Sequence, residues 1–266
     1  MRNIFVKVTV VVTYFAMILV NFMANALPIN DRTTGEISEL YSNLFAPAGI
    51  TFSIWGLIYI LLGAYTIYQL GLFKNVKIRD NLIEKINYFF IVSSAANIFW
   101  VFSWHYDYIW LSLIFMIVIL YCLIKIATTL DARRLSFREK AFIRVPFSIY
   151  FGWITVATIA NVTVFLVSIN FDGFGISEQI WTVAVLLIGA AIGIARIIKG
   201  SDIFYGLVFI WAYSGILIRH TMETGFAWQY TWIIATTIAC LSLLVIFVTY
   251  LIIKNNERRF SYFKKN

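Results

Sequence analysis

The chain has 266 residues, of which 61% are apolar and 13% charged, too little polar surface to cover a water-soluble globule of this size. Its net charge of +8 is distributed in a way that argues against a nucleic-acid partner. The composition therefore predicts an all-α, polytopic integral membrane protein, with the lipid bilayer as its solvent.

In chain order, long uncharged stretches run over Val8–Asn30, Ala46–Phe73, Ile86–Tyr106, Val145–Phe171 and Gly225–Ile253. Each exceeds the roughly 20 residues that cross a bilayer. Three shorter stretches, Tyr108–Ile124, Gln179–Ala195 and Ile203–Ile218, cross if Lys125, Arg196 and Arg219 extend their charged heads to the interface. That makes eight transmembrane helices. The start "MRNIFVK" followed by "ANA" at 24–26 imitates a secretory leader, but the apolar run is longer than such a leader carries, and it is read as the first span.

Successive loops alternate in basic content. Arg2 and Lys7 precede the first span, and the second loop holds Lys74, Lys77, Arg79 and Lys85. The fourth holds Lys125, Arg133, Arg134, Arg138, Lys140 and Arg144. The sixth holds Arg196 and Lys199, and the tail carries Lys254, Arg258, Arg259, Lys264 and Lys265, whereas only Arg32 and Arg219 fall in the intervening loops. Nineteen of the 21 basic residues thus share one side, which predicts both termini in the cytoplasm of a plasma membrane, bacterial by its compact topology. Attraction to anionic headgroups is a by-product of this pattern.

Titratable groups sit at span ends: Asp107, Glu178, Asp202, Arg219, His105 and His220. No lysine lies mid-span to form a Schiff base, and no carboxylate lies mid-span to relay protons. Cys122 and Cys240 fall in separate spans, so neither a disulfide nor a metal site is expected. Without a nucleophile–base pair, no catalytic residue is assigned. The interior chemistry is neutral and aromatic, which suits binding.

Helical spacing gathers that chemistry into stripes. The second span carries Trp55, Tyr59 and Gly63, after an irregular entry at "FAPAG". The third carries Ser93, Asn97, Trp100 and Trp104; the fifth carries Trp153, Ala157, Ala160 and Asn161. The asparagines serve either as hydrogen-bonding glue between helices or as ligand contacts. Trp104, Trp110, Trp181, Trp228 and Trp232 fall near boundaries and read as interface belt; Trp55, Trp100 and Trp153 lie deeper. The acidic loop Asn30–Phe45 reads either as a lid or as a solvated connector, and its "TTGE" can cap a short helix with Thr33 or Thr34 and Glu36. In "GAAIG", Gly189 and Gly193 form a small-residue face suited to docking within the chain.

Three of these stretches resemble the TspO/MBR family, the tryptophan-rich sensory proteins that include the mitochondrial translocator protein. "PAGITFSIWGLIYILLG" is similar to its second-helix signature at Pro47, Phe52, Trp55 and Tyr59. "ANIFW" is similar to the third-helix motif at Asn97 and Trp100, and "YFGWITVATIAN" to the fifth-helix motif at Tyr150, Trp153, Ala157 and Asn161. Two family prolines are replaced near Ala48 and Ile54, and a third is displaced to Pro146. The resemblance covers 1–170 and implies a five-helix bundle there, with 171–266 adding three helices and a basic tail. It implies a pocket lined by Trp55, Tyr59, Asn97, Trp100, Tyr150, Trp153, Ala157 and Asn161 for an apolar small-molecule ligand. By resemblance that ligand is a tetrapyrrole such as porphyrin or haem, bound as ligand and not as cofactor, or a sterol-like lipid. Because some members are reported to degrade porphyrin in light, the resemblance also makes Trp55 and Trp153 the candidates for such chemistry. Three roles stay open: a ligand-binding sensory protein, a transporter or exporter of an apolar metabolite, or a purely structural or assembly role. Homodimer formation stays open as well.

Overall fold

The computed structural model describes residues 2–27, 29–71 and 80–263. The basic residues Lys74, Lys77, Arg79, Lys264 and Lys265, and the span end at Phe73, lie outside them. Among the described residues the chain is helical, without strands. The helices are α1 (Arg2–Ala26), α2 (Thr34–Leu40), α3 (Ile54–Gln69), α4 (Asp80–His105), α5 (Ile109–Asp131), α6 (Val145–Ser168), α7 (Glu178–Gly200), α8 (Ile203–Thr221) and α9 (Thr231–Phe263). Eight segments are long and apolar enough to cross a membrane; α2 is the helix that is not. The first span starts and stops earlier in the chain than its apolar run, because α1 ends at Ala26 and the chain turns through Asn30 and Asp31 with positive φ. The irregular entry expected at "FAPAG" is a 3-10 turn over Gly49–Ser53 that leads into α3. A π-helical turn at Lys140–Arg144 precedes α6, where Pro146 occupies the first turn and its missing N–H leaves no orphan.

The chain divides into two compact units. The first comprises Met1–Asn43 and Phe52–Phe171; the second comprises Leu44–Thr51 and Asp172–Asn266. The eight residues 44–51 therefore belong with α7, α8 and α9, although both flanks belong to the first unit.

In the first unit α4 packs on α1 and α5, α5 packs on α6, and α3 packs on α1 and α6. Its core at one end is a ring trio: Tyr65 lies 5.6 Å from Phe90 and 4.7 Å from Phe147, and those two are 5.5 Å apart, all edge to face. The Tyr65 hydroxyl donates to Asn87 Oδ1, Asn87 Nδ2 donates to Gln69 Oε1, and Gln69 Nε2 donates to the Lys7 carbonyl. This ladder joins α1, α3 and α4 with its buried amides partnered, as a low-dielectric interior demands. Nearer the middle, the Tyr14 hydroxyl donates to the Tyr59 carbonyl at 2.9 Å, crossing α3 where Gly63 offers no side chain.

In the second unit α9 packs on both α7 and α8. Gly193 faces the Phe209 ring, where a Cβ would come within 2.6 Å. The "GAAIG" face thus docks within the chain, on α8. The turn between α7 and α8 is set by Ser201 in the left-handed region, and by Asp202, which accepts from the Tyr205 N–H and pairs with Arg196 at 3.5 Å.

Candidate functional site

The two deep tryptophans of α3 and α6 meet edge to face, Trp55 to Trp153, at 6.1 Å and 84°. Trp55 also stacks on Tyr59 at 5.5 Å and meets Tyr150 at 6.2 Å, while Phe52 meets Trp153 at 5.8 Å. Five rings, from α3, α6 and the 3-10 turn ahead of α3, thus form one aromatic cluster inside the first unit. On α4, Trp100 stacks on Trp104 at 5.8 Å one turn along, and Asn97 is fully buried one turn back.

The hydrogen-bond pattern separates these residues further. Asn97 Oδ1 accepts from Asn21 Nδ2 at 2.7 Å, and Asn21 Nδ2 also donates to the Met17 carbonyl. Asn97 Nδ2 has no partner, and neither do Trp100 Nε1, Trp153 Nε1 and the Tyr150 hydroxyl, all four buried. The Tyr150 hydroxyl interacts with the Asn97 side chain. These atoms are two i, i+3 pairs, Asn97 with Trp100 and Tyr150 with Trp153, on one face of α4 and one of α6. Three are N–H donors and the fourth is a hydroxyl, so the group as a whole offers protons.

Asn161 has a different environment. Its Oδ1 accepts from the Ser112 hydroxyl of α5 at 3.3 Å, a bond between packed helices. It lies two turns beyond Trp153, about 12 Å along the axis, with half-buried Ala157 between them. Ser93 is likewise satisfied, donating to the Phe90 carbonyl.

The segment 29–41 is docked on the end of α4, not a solvated connector. Thr33 caps α2 through a reciprocal box in which its hydroxyl accepts from the Glu36 N–H and Glu36 Oε2 accepts from the Thr33 N–H at 2.7 Å. These bonds hold the exposed Glu36 carboxyl below its ordinary range. His105 is fully buried with both ring nitrogens engaged, Nδ1 with the Ile29 carbonyl at 3.1 Å and Nε2 with the Thr34 hydroxyl at 3.0 Å. Arg32 pairs with Asp107 at 3.3 Å, and the Tyr41 hydroxyl donates to the same carboxylate at 3.4 Å. Partial burial, with Asp107 second, pushes the Tyr41 hydroxyl up from its ordinary value. Trp104, placed by depth in the interface belt, is instead buried, and its Nε1 donates to the Thr34 carbonyl at 3.2 Å. Depth alone misplaced it because the loop folds back over it. Trp110, Trp228 and Trp232 are exposed, as a belt requires.

Among the described residues no three His, Cys, Asp or Glu side chains gather as a metal site. Asn21 and Tyr14 are the residues that the sequence reading passed over. Their signal was the spacing Tyr14, Asn21, Asn25 along one side of α1.

No curated protein and no solved structure matches the chain significantly. A family model described as TSPO-like protein matches residues 7–253. The match extends through α7, α8 and most of α9. The chain belongs to the TSPO-like protein family.

Proposed function

We propose that the first unit binds a flat, largely apolar molecule bearing hydrogen-bond acceptors, of the tetrapyrrole or sterol-like class. The observation that carries this reading is the set of four buried, unpartnered polar atoms on Asn97, Trp100, Tyr150 and Trp153. Each such group costs about 1–3 kcal/mol when left unbonded, and in a membrane interior the helices have no water to turn to. Carboxylate, carbonyl or hydroxyl oxygens on a ligand would accept from them. The Trp55, Tyr59 and Trp153 rings supply faces and edges for a planar apolar body, at about 1 kcal/mol each beyond the area buried. The docked segment 29–41 serves as the cover on the α4 side. The basic-residue pattern supports cytoplasmic termini in this reading.

The test is quenching of tryptophan fluorescence by protoporphyrin IX and by haem, comparing the parent with a folded Trp153→Phe/Asn97→Ala variant. Saturable quenching that the double change weakens by about tenfold, 1.4 kcal/mol, is expected. Equal, non-saturating quenching in both proteins would show partition into detergent and overturn the reading.

A further inference from the structure

The connection from α5 to α6 sorts its charges. From Asp131 to Arg144 it holds Arg133, Arg134, Arg138, Lys140 and Arg144 against two acids, Asp131 and Glu139. Both acids are committed inside the fold. Asp131 pairs with Arg144 at 2.7 Å, which clamps the end of α5 to the start of α6. Glu139 is buried and completes a capping box: its Oε2 accepts from the Ser136 N–H at 2.7 Å, and the Ser136 hydroxyl accepts from the Glu139 N–H at 3.3 Å. Ile143 is buried, and Phe142 stacks on Tyr68 of α3 at 5.3 Å. These side chains seat the turn on the first unit.

What remains outside is of another kind. Arg133, Arg138 and Lys140 are exposed and enter no ion pair among the described residues. Phe137, within the same turn, is 83% exposed, the highest value for a large apolar side chain among the described residues. A ring held out by a capped turn and accompanied by unpaired cations is costly in water, so something covers it.

Length says what does. The span α5 has 23 residues, about 34 Å at 1.5 Å per residue, against a hydrocarbon core of roughly 30 Å. A helix that starts at one boundary therefore delivers Asp131 to the other, and the short turn that follows stays at headgroup depth. The surroundings there are phosphate oxygens above acyl chains, an anionic layer over an apolar one. Exposed guanidinium and ammonium groups beside an exposed ring match both layers.

We propose that residues 133–140 form a docking surface for the phosphate headgroups of anionic lipids. Arg133, Arg138 and Lys140 take the phosphate oxygens, and Phe137 enters the acyl boundary beneath them. This goes beyond the general attraction of a basic loop, because the fold commits the acids elsewhere and presents cations and ring from one capped turn. The surface uses no residue of the aromatic cluster and does not depend on the ligand reading.

The test places the full chain with Phe137→Cys in phosphatidylcholine nanodiscs and labels position 137 with bimane; the native thiols Cys122 and Cys240 are buried. A minor share of acyl-brominated lipid is included, with either a phosphatidylglycerol or a phosphatidylcholine headgroup. Quenching by both is expected, with phosphatidylglycerol reaching half its effect at about tenfold lower share, as several cations near an anionic lipid imply. Arg133→Gln/Arg138→Gln/Lys140→Gln should abolish that difference, and Arg133→Lys/Arg138→Lys should keep most of it. Raised salt should shrink it in the labelled parent, which repeats the charge test without a substitution should the triple variant fail to fold. No quenching by either lipid would leave position 137 in water, and equal quenching by the two headgroups would make it ordinary lipid contact; each overturns the proposal. A preference that survives both the triple change and raised salt overturns it as well, since the cations would not be its source.

Discussion

The amide of Asn21 donates a 2.7 Å hydrogen bond to Oδ1 of Asn97, joining α1 to α4 in the interior of the first unit. This bond decides which end of the Asn97 amide is used up. The oxygen is held toward α1, and the NH2 group is left beside the Tyr150 hydroxyl with the other unpartnered donors.

Replacing Asn21 by leucine should therefore act twice. It removes an interhelical bond in the membrane, worth about 1 kcal/mol, and it frees the Asn97 amide to turn over and offer its oxygen instead. The expected outcome is a lower midpoint in a detergent unfolding titration together with weaker protoporphyrin IX quenching. If both quantities match the parent, Asn21 does not orient Asn97.

The close approach of α1 to α3 makes a second prediction. A Cβ at Gly63 would lie 2.5 Å from the Tyr14 hydroxyl oxygen, which is bonded to the Tyr59 carbonyl. Gly63→Ala should destabilise the protein by about 1–3 kcal/mol, the usual penalty for overpacking. Tyr14→Phe in the same chain should recover part of that loss, because it removes the atom nearest the new methyl. A double variant less stable than Gly63→Ala alone would mean that the hydroxyl bond outweighs the collision.

The cap on α2 predicts a pH dependence with a definite sign. Glu36 is held below its ordinary value by the Thr33 N–H and hydroxyl, so the folded form favours the carboxylate. Its contribution is complete above the ordinary glutamate range and disappears as pH falls through the lowered value. The indole N–H resonance of Trp104, bonded to the Thr34 carbonyl, should shift on acidification in the parent and be displaced already at neutral pH in Thr33→Ala. A Trp104 resonance indifferent to both changes would show that α2 docks without its cap.

A fourth prediction concerns Gly193. Valine at this position would collide with the Phe209 ring and separate α7 from α8, lowering stability by about 1–3 kcal/mol, with no change of mass in light scattering. Loss of a dimer at unchanged stability would reassign the glycine face to contacts between copies.

Much of this architecture was legible in the chain because membrane solvation is a blunt constraint. Eight apolar runs became eight spanning helices, and Trp55 on α3, Asn97 with Trp100 on α4, and Trp153 on α6 were visible as polar or aromatic positions on helix stripes. The TspO-like motifs supplied their expected meeting. What spacing could not supply was partnership across helices. Asn21 finds Asn97 across 76 residues, and periodicity within one helix says nothing of such a pair. For the same reason Asn161 resembled Asn97 in sequence, yet the partner of its oxygen is Ser112 of α5 and that of Asn97 is Asn21 of α1. The segment 44–51 was the least legible element: its composition marks an irregular entry to a helix, but its partners lie 134 to 176 residues away.

That separation bears on how the protein is made. Leu44 leaves the ribosome 176 residues before His220, and at about 5–20 residues per second the interval is on the order of ten seconds or longer. Until α8 is made, the buried backbone groups of Leu44, Ala48 and Thr51 have none of the α8 partners they end with. A nascent chain halted before α8 should be a favoured target for membrane quality control, with its exposed connection ahead of α3 as the mark.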